Sequence, residues 1–209
     1  MSATAKKLSS LLLSFVLLMA FAIFPVAALA DDRIASNEVT GLDNYMSIQP
    51  NGDLALDEGA AAQAGYAEDV ITAIENQINA MNVAVREGRG YIDDEFNLVI
   101  YLPGTRAVGE SKVVTTWYGL TQIYMNSDEA AQLKALVSGS SGGIETLEDF
   151  FNLFEQFAEA ADFISGVANI FLASYSYQIS TAEAAGRGII MNIQRDLVYG
   201  GETIWFESQ

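Results

Sequence analysis

Between Glu68 and Glu87 the apolar residues Val70, Ile71, Ile74, Ile78, Met81 and Val85 recur at three- and four-residue steps. That period predicts an amphipathic helix. Its start falls at Glu58 or Glu68, with Asp57 where an N-cap belongs and Gly88 as the residue just past the end. Upstream, Tyr45–Ile48 and Leu54–Leu56 flank Asn51-Gly52. Asn and Gly tolerate the positive φ of a tight turn, so this stretch predicts a β-hairpin. Downstream, Asn97–Tyr101 is a short apolar strand ended by Pro103-Gly104. Lys112–Met125 is rich in Val, Thr, Trp, Tyr and Ile, with Gly119 in the middle. It predicts two strands, or one bulged strand bent at the glycine. Asn126 and Glu129 have capping-box spacing for a helix to about Val137, and Ser138–Gly143 (SGSSGG) is a connector.

From 144 to 185 the pattern is again helical. Leu147, Phe150, Phe151, Phe154, Phe157, Ala161, Ile164, Ala168, Phe171 and Tyr175 fall on one side. Glu148, Glu155, Glu159 and Asp162 fall largely on the other. Forty residues is long for one globular helix, and a break is expected near Ser165-Gly166. Ile189–Arg195 and Thr203–Glu207 alternate like strands around Gly200-Gly201. Paired as a hairpin, they would join the sheet containing Trp117 and bury Trp205 and Phe206, worth roughly 2–3 kcal/mol each. Two GRG triplets, 88–90 and 186–188, each follow a helix and precede apolar residues. They are read as helix exits: glycine for the left-handed position, arginine for the negative helix end.

These elements predict an α+β fold: a small antiparallel sheet packed against a helical layer, with an N-terminal hairpin-helix module. The expected divisions are a signal peptide at 1–30, a flexible lead at 31–42, the hairpin-helix module at 43–95, and an α+β module at 96–209. The last contains the long helical region 144–185 and the strand hairpin.

The signal-peptide reading rests on three features. Lys6 and Lys7 are a positive n-region, Leu11–Ile23 is an apolar run broken by Ser14, and Ala28-Leu29-Ala30 is a small-residue cleavage site. Export with cleavage after Ala30 follows as the expectation, and the run is short for a membrane anchor. Composition then narrows the field. Without the leader the chain carries eight basic and 27 acidic side chains, a net charge of −19. Phosphate polymers and anionic bilayers are repelled by such a surface, which argues against nucleic acid as a partner. There is no Cys, so no disulfide supports the core. There is no His, which removes the commonest general base and metal ligand.

The remaining chemistry is carboxylate chemistry. Asp93, Asp94, Glu95, Glu148 and Asp149 are candidates for a two-carboxylate hydrolase site, but nothing in their spacing selects a pair. Asp93, Glu95 and Asn97 alternate like the first ligands of a calcium loop, yet Leu98 and Gly104 occupy the positions for its Gly and its closing acid. No S-x-x-K, G-x-S-x-G or phosphate-loop motif is present. No catalytic, cofactor or metal residue is therefore assigned. Phe163–Ile179 is 17 residues without a charge. Within it Phe163, Ile164, Ile170, Phe171 and Leu172 form a candidate membrane-active segment, the plainer reading being a core helix. Tyr118, Tyr124 and Trp205 are candidate surface contacts, and Trp117 is assigned to the core.

Two stretches carry a resemblance. "YMSIQPNGDLALDEGAAAQAGYAEDVITAIENQINAMNVAV" resembles a hairpin-helix lead module of small exported Gram-positive proteins. "KVVTTWYGLTQIYMNSDEAAQL", with the closing "AAGRGIIMNI", is similar to secreted Gram-positive proteins in which a Trp-Gly strand, a short helix, a helical region and a GxGhhI strand (h, hydrophobic) follow in order. Some of these are bacteriocin-like. The resemblance implies no catalytic residues. The Phe- and Glu-rich first half of the helical region departs from the Ala/Gly-rich pattern and favours a soluble bundle. The leading expectation is a secreted, non-catalytic interaction protein whose partner is a protein or cell-envelope component. The alternatives are a bacteriocin-like, membrane-perturbing antagonist and a carboxylate hydrolase.

Overall fold

The computed structural model describes residues 39–102, 107–139, 144–164 and 170–209. The leader, most of the 31–42 lead, Pro103-Gly104, most of the SGSSGG connector and the Ser165-Gly166 break lie outside them.

A short 3₁₀ turn at Leu42–Tyr45 leads into β1 (Met46–Ile48) and β2 (Leu54–Leu56), an antiparallel pair closed by the Asn51-Gly52 turn. Asp57 caps α1 (Glu58–Gln63) by accepting from Ala60 N at 2.9 Å. The helix-start ambiguity resolves into two helices, because the chain turns at Gly65 before α2 (Glu68–Arg86) begins. α2 ends as the first GRG triplet predicts. Gly88 takes φ 73°, its N–H returns to Val85 O, and Arg89 N returns to Ala84 O. That pair of bonds is a Schellman ending. The Arg89 guanidinium then turns to Glu87 (2.8 Å) and Asp162 (2.9 Å) rather than to the helix end.

The α+β class is present in the molecule. Six strands form one antiparallel meander in chain order: β3 (Tyr91–Ile92), β4 (Leu98–Tyr101), β5 (Lys112–Thr115), β6 (Leu120–Met125), β7 (Ile189–Arg195) and β8 (Glu202–Ser208). Of the two readings of 112–125, two strands is the outcome, with Trp117, Tyr118 and Gly119 in the turn. Gly119 is required there: its φ is 91°, and a Cβ would sit 2.7 Å from Arg195 O. α3 (Ser127–Ser138) follows, opened by the expected Asn126–Glu129 capping box.

The helical region 144–185 is not one helix. α4 (Leu147–Leu153) stops at Phe154, a 3₁₀ segment covers Glu155–Phe163, and a second, Leu172–Tyr175, precedes α5 (Ser176–Glu183). A capping box at Thr146–Asp149, a T-x-x-D signal passed over in the sequence reading, starts α4. The side-chain phase nevertheless survives as far as Ile164. Phe150 stacks on Phe154 (4.9 Å) and Phe157 (5.8 Å), all buried. The phase fails at Phe171, which is 60% exposed and lies in a strand-like bridge with Thr146. A helical stripe cannot be extrapolated across residues that are not helical.

Alternation along the strands divides the sheet into two faces. Ile92, Leu98, Ile100, Val113, Ile123, Met125, Ile189, Met191, Ile193, Ile204 and Phe206 join the helices in one hydrophobic core, with Trp117 beside them. The core thus lies between the sheet and a helical layer. The hairpin expectation needs one correction. Phe206 is buried opposite Met191, but Trp205 is only half-buried on the other face, opposite Asn192. Neighbouring residues of a strand point to opposite faces, so both rings cannot enter one core.

Candidate functional site

The strand pairing assembles a second face that period-2 alternation only hints at. Following the registers across the sheet, Tyr101, Lys112, Tyr124, Ile190 and Glu207 stand in one cross-strand row. Tyr91, Val99, Val114, Gln122, Asn192 and Trp205 stand in the next. Val99 and Val114 are buried yet belong to no part of the main core. Among the described residues the core lies on the opposite face, so the sheet has one covered side and one outward side.

Aromatic rings mark the outward side. Tyr91 and Tyr101 stack at 6.2 Å with an interplanar angle of 24°, and are 48% and 63% exposed. The Lys112 ammonium lies 4.6 Å from the centre of the Tyr124 ring and 2.6 Å from a Glu110 oxygen. Burial works to lower the Lys112 pKa, but the Glu110 hydrogen bond and charge, with Tyr124 and Tyr101, outweigh it and the net shift is upward. Its charge is thereby held and neutralised within the face. Tyr124 is half-buried, and that burial pushes its phenol up. The Trp205 indole N–H donates to Glu207 Oε1 at 3.0 Å. Gln122 Nε2 donates to Asn192 Oδ1 at 2.8 Å, and Asn192 is buried, its Nδ2 finding no acceptor among the described residues.

Two of the three expected contacts, Tyr124 and Trp205, therefore share this face. The third does not. Tyr118 is in the β5–β6 turn, half-buried against the core and edge-on to Trp117 at 5.3 Å, and burial raises its pKa. Trp117 is buried, as assigned. The sequence reading missed Tyr91 and Tyr101. Their signal was present in the alternation with Ile92 and Ile100, but only the pairing of β3 with β4 stacks them.

Two of the candidate carboxylates have structural tasks. Asp93 ties the β3–β4 turn, accepting from Glu95 N (2.9 Å), Asn97 N (2.8 Å) and Asn97 Nδ2 (3.3 Å). Asp149 accepts from the backbone and hydroxyl of Thr146 and from Glu145 N, and those bonds hold its carboxyl below its usual range. No group of three or more metal-ligating side chains gathers among the described residues. A carboxyl pair in hydrogen-bond reach was not anticipated: Glu75 on α2 and Glu58 on α1. The Glu58 hydrogen bond first, then burial and the Glu58 charge, raise Glu75 to about 7. Two shallow clefts run along the start of α2, about 380 and 790 Å³. Both are lined by Asp69 and Tyr199, and neither is lined by Lys or Arg.

Of the candidate membrane-active residues, Phe163, Ile164 and Leu172 are buried, Ile170 packs partly against the core, and Phe171 is exposed. Among the described residues no helix is long and apolar enough to cross a membrane. Compared with protein-family models, curated proteins and solved structures, the chain matches none.

Proposed function

We propose that this is an exported, non-catalytic binding protein whose working surface is the outward face of the six-stranded sheet. One observation carries the reading: strand register gathers Tyr91, Tyr101, Tyr124 and Trp205 on a single face whose opposite side is the core. Rings fixed on a rigid sheet offer large contact area at small entropic cost, which is the composition of binding surfaces rather than of ordinary solvent-facing strands. The partner is a component of the cell envelope. The Gram-positive resemblance and the leader support that location, and the surplus of acid on the protein disfavours polyanions.

Co-sedimentation of the purified protein with Gram-positive cell envelopes tests this. Wild type is retained; the double variant Tyr101→Ala, Trp205→Ala is released, with an unchanged circular dichroism spectrum. Retention that survives both substitutions sinks the proposal.

A further inference from the structure

The geometry points to a specific occupant for this face: an extended, neutral, β-linked glycan lying across the strands. The inference rests on the binding-face reading and deepens it. Tyr101 on β4 and Tyr124 on β6 share one cross-strand row, two strands apart, and Trp205 on β8 stands in the next row. Adjacent strands are about 4.8 Å apart, so the strands that carry Tyr101 and Tyr124 are about 9.6 Å apart across the sheet. That is about the length of one disaccharide unit in an extended β-linked chain. A pyranose presents a flat C–H face suited to a ring, and hydroxyls around its edge. The neighbouring row offers those hydroxyls the half-buried Gln122 amide; Asn192, which accepts a hydrogen bond from it, is itself buried.

Charge selects the neutral class. The whole chain is at −17, yet on this face Lys112 is paired with Glu110, and Glu207, which accepts from the neutral Trp205 N–H, keeps its charge. A polyanion would be repelled by the molecule at large. A polycation would find stronger sites among the molecule's other carboxylates than on a face with one ion pair and Glu207. A neutral polymer meets neither effect and gains ring contacts on this face.

Calorimetric titration of the purified protein with cellohexaose and with N-acetylchitohexaose tests the inference. Saturable binding is expected to one or both. Tyr101→Ala, Tyr124→Ala and Trp205→Ala should each weaken it roughly tenfold, the effect of losing one ring contact. Tyr101→Phe and Tyr124→Phe should bind as wild type, which separates loss of a ring from loss of fold. Hyaluronan, an anionic β-linked glycan, should bind more weakly than the neutral chains. Three results would each overturn the glycan assignment: no saturable binding to either hexasaccharide, binding indifferent to the alanine variants, or a preference for hyaluronan. If envelope retention still depends on Tyr101 and Trp205 after such a result, the binding face stands and its occupant is of another class. If retention is indifferent too, both readings fail.

Discussion

Gln209 and Glu110, 99 positions apart, are joined in both directions: Gln209 Nε2 donates to Glu110 O at 2.9 Å, and Glu110 N donates to Gln209 Oε1 at 2.7 Å. The same Nε2 reaches Met125 O at 2.8 Å, and Gln209 N donates to Gly188 O at 3.1 Å. One side chain thus closes the approach to β5, the end of β6 and the start of β7 into a single junction. Gly188 is the glycine of that junction, with φ 96° and its hydrogen turned onto the Met125 carbonyl, where a Cβ would collide. Gln209→Ala leaves these backbone groups without their partner. It should cost about 1–3 kcal/mol in denaturant unfolding. Gln209→Glu, which faces the same carbonyls with a carboxylate, should cost at least as much.

The two-stranded sheet is fastened to α2 by one amide. Asn82, buried, donates to Leu54 O and accepts from Leu54 N, both at 2.8 Å. It supplies the pairing that a third strand would. Asn82→Ala should destabilise by about 2–3 kcal/mol, since two buried backbone groups lose their partner together. Hydrogen exchange at Leu54 should accelerate well beyond that of the sheet core. Unchanged exchange at Leu54 would remove the amide from this role.

Glu75 should make the hairpin-helix module sensitive to pH. Its carboxyl is raised from 4.5 to about 7 by the hydrogen bond with Glu58, by burial, and by the Glu58 charge. A group whose folded pKa exceeds its unfolded value stabilises fully below the unfolded pKa. That stabilisation is lost as pH rises through the folded one. Wild type should therefore lose thermal stability between about pH 5 and pH 8 relative to Glu75→Gln, whose amide donates to Glu58 at every pH. Parallel melting curves for the two proteins across that window would refute the shared proton.

Phe171 and Leu172 are adjacent and opposite in consequence, at 60% and 0% exposure. Phe171→Asp should change stability by less than about 0.5 kcal/mol, while Leu172→Asp places a charge in the core and should prevent stable folding. Urea midpoints check both. The bacteriocin-like alternative makes a different demand: Phe163, Ile164 and Leu172 must leave the core at a bilayer. Dye release from lipid vesicles by the intact protein would revive it.

Local chemistry was legible in the amino-acid order because it needs only neighbours. Asn51-Gly52 states a turn, Asp57 and Asn126–Glu129 state helix starts, and Gly88-Arg89 states a helix exit, each through bonds spanning a few residues. The alternation of 189–195 likewise marked a strand with two unlike sides. What lay beyond reach was everything set by register between distant segments. Whether Trp205 or Phe206 turns inward depends on Met191 standing opposite Phe206. The stack of Tyr91 on Tyr101 depends on β3 meeting β4, and the approach of the Glu58 and Glu75 carboxyls depends on α1 lying along α2. The helical stripe of 144–185 was read correctly as core where the chain stays in phase, and wrongly at Phe171 where it does not. The sequence by itself determined the turns, the caps, the acid surplus and the apolar stripes, because these follow from covalent neighbours and composition. The tertiary structure alone decided which stripes meet and which side of the sheet is left outward, because that choice minimises exposed apolar area over the whole chain at once.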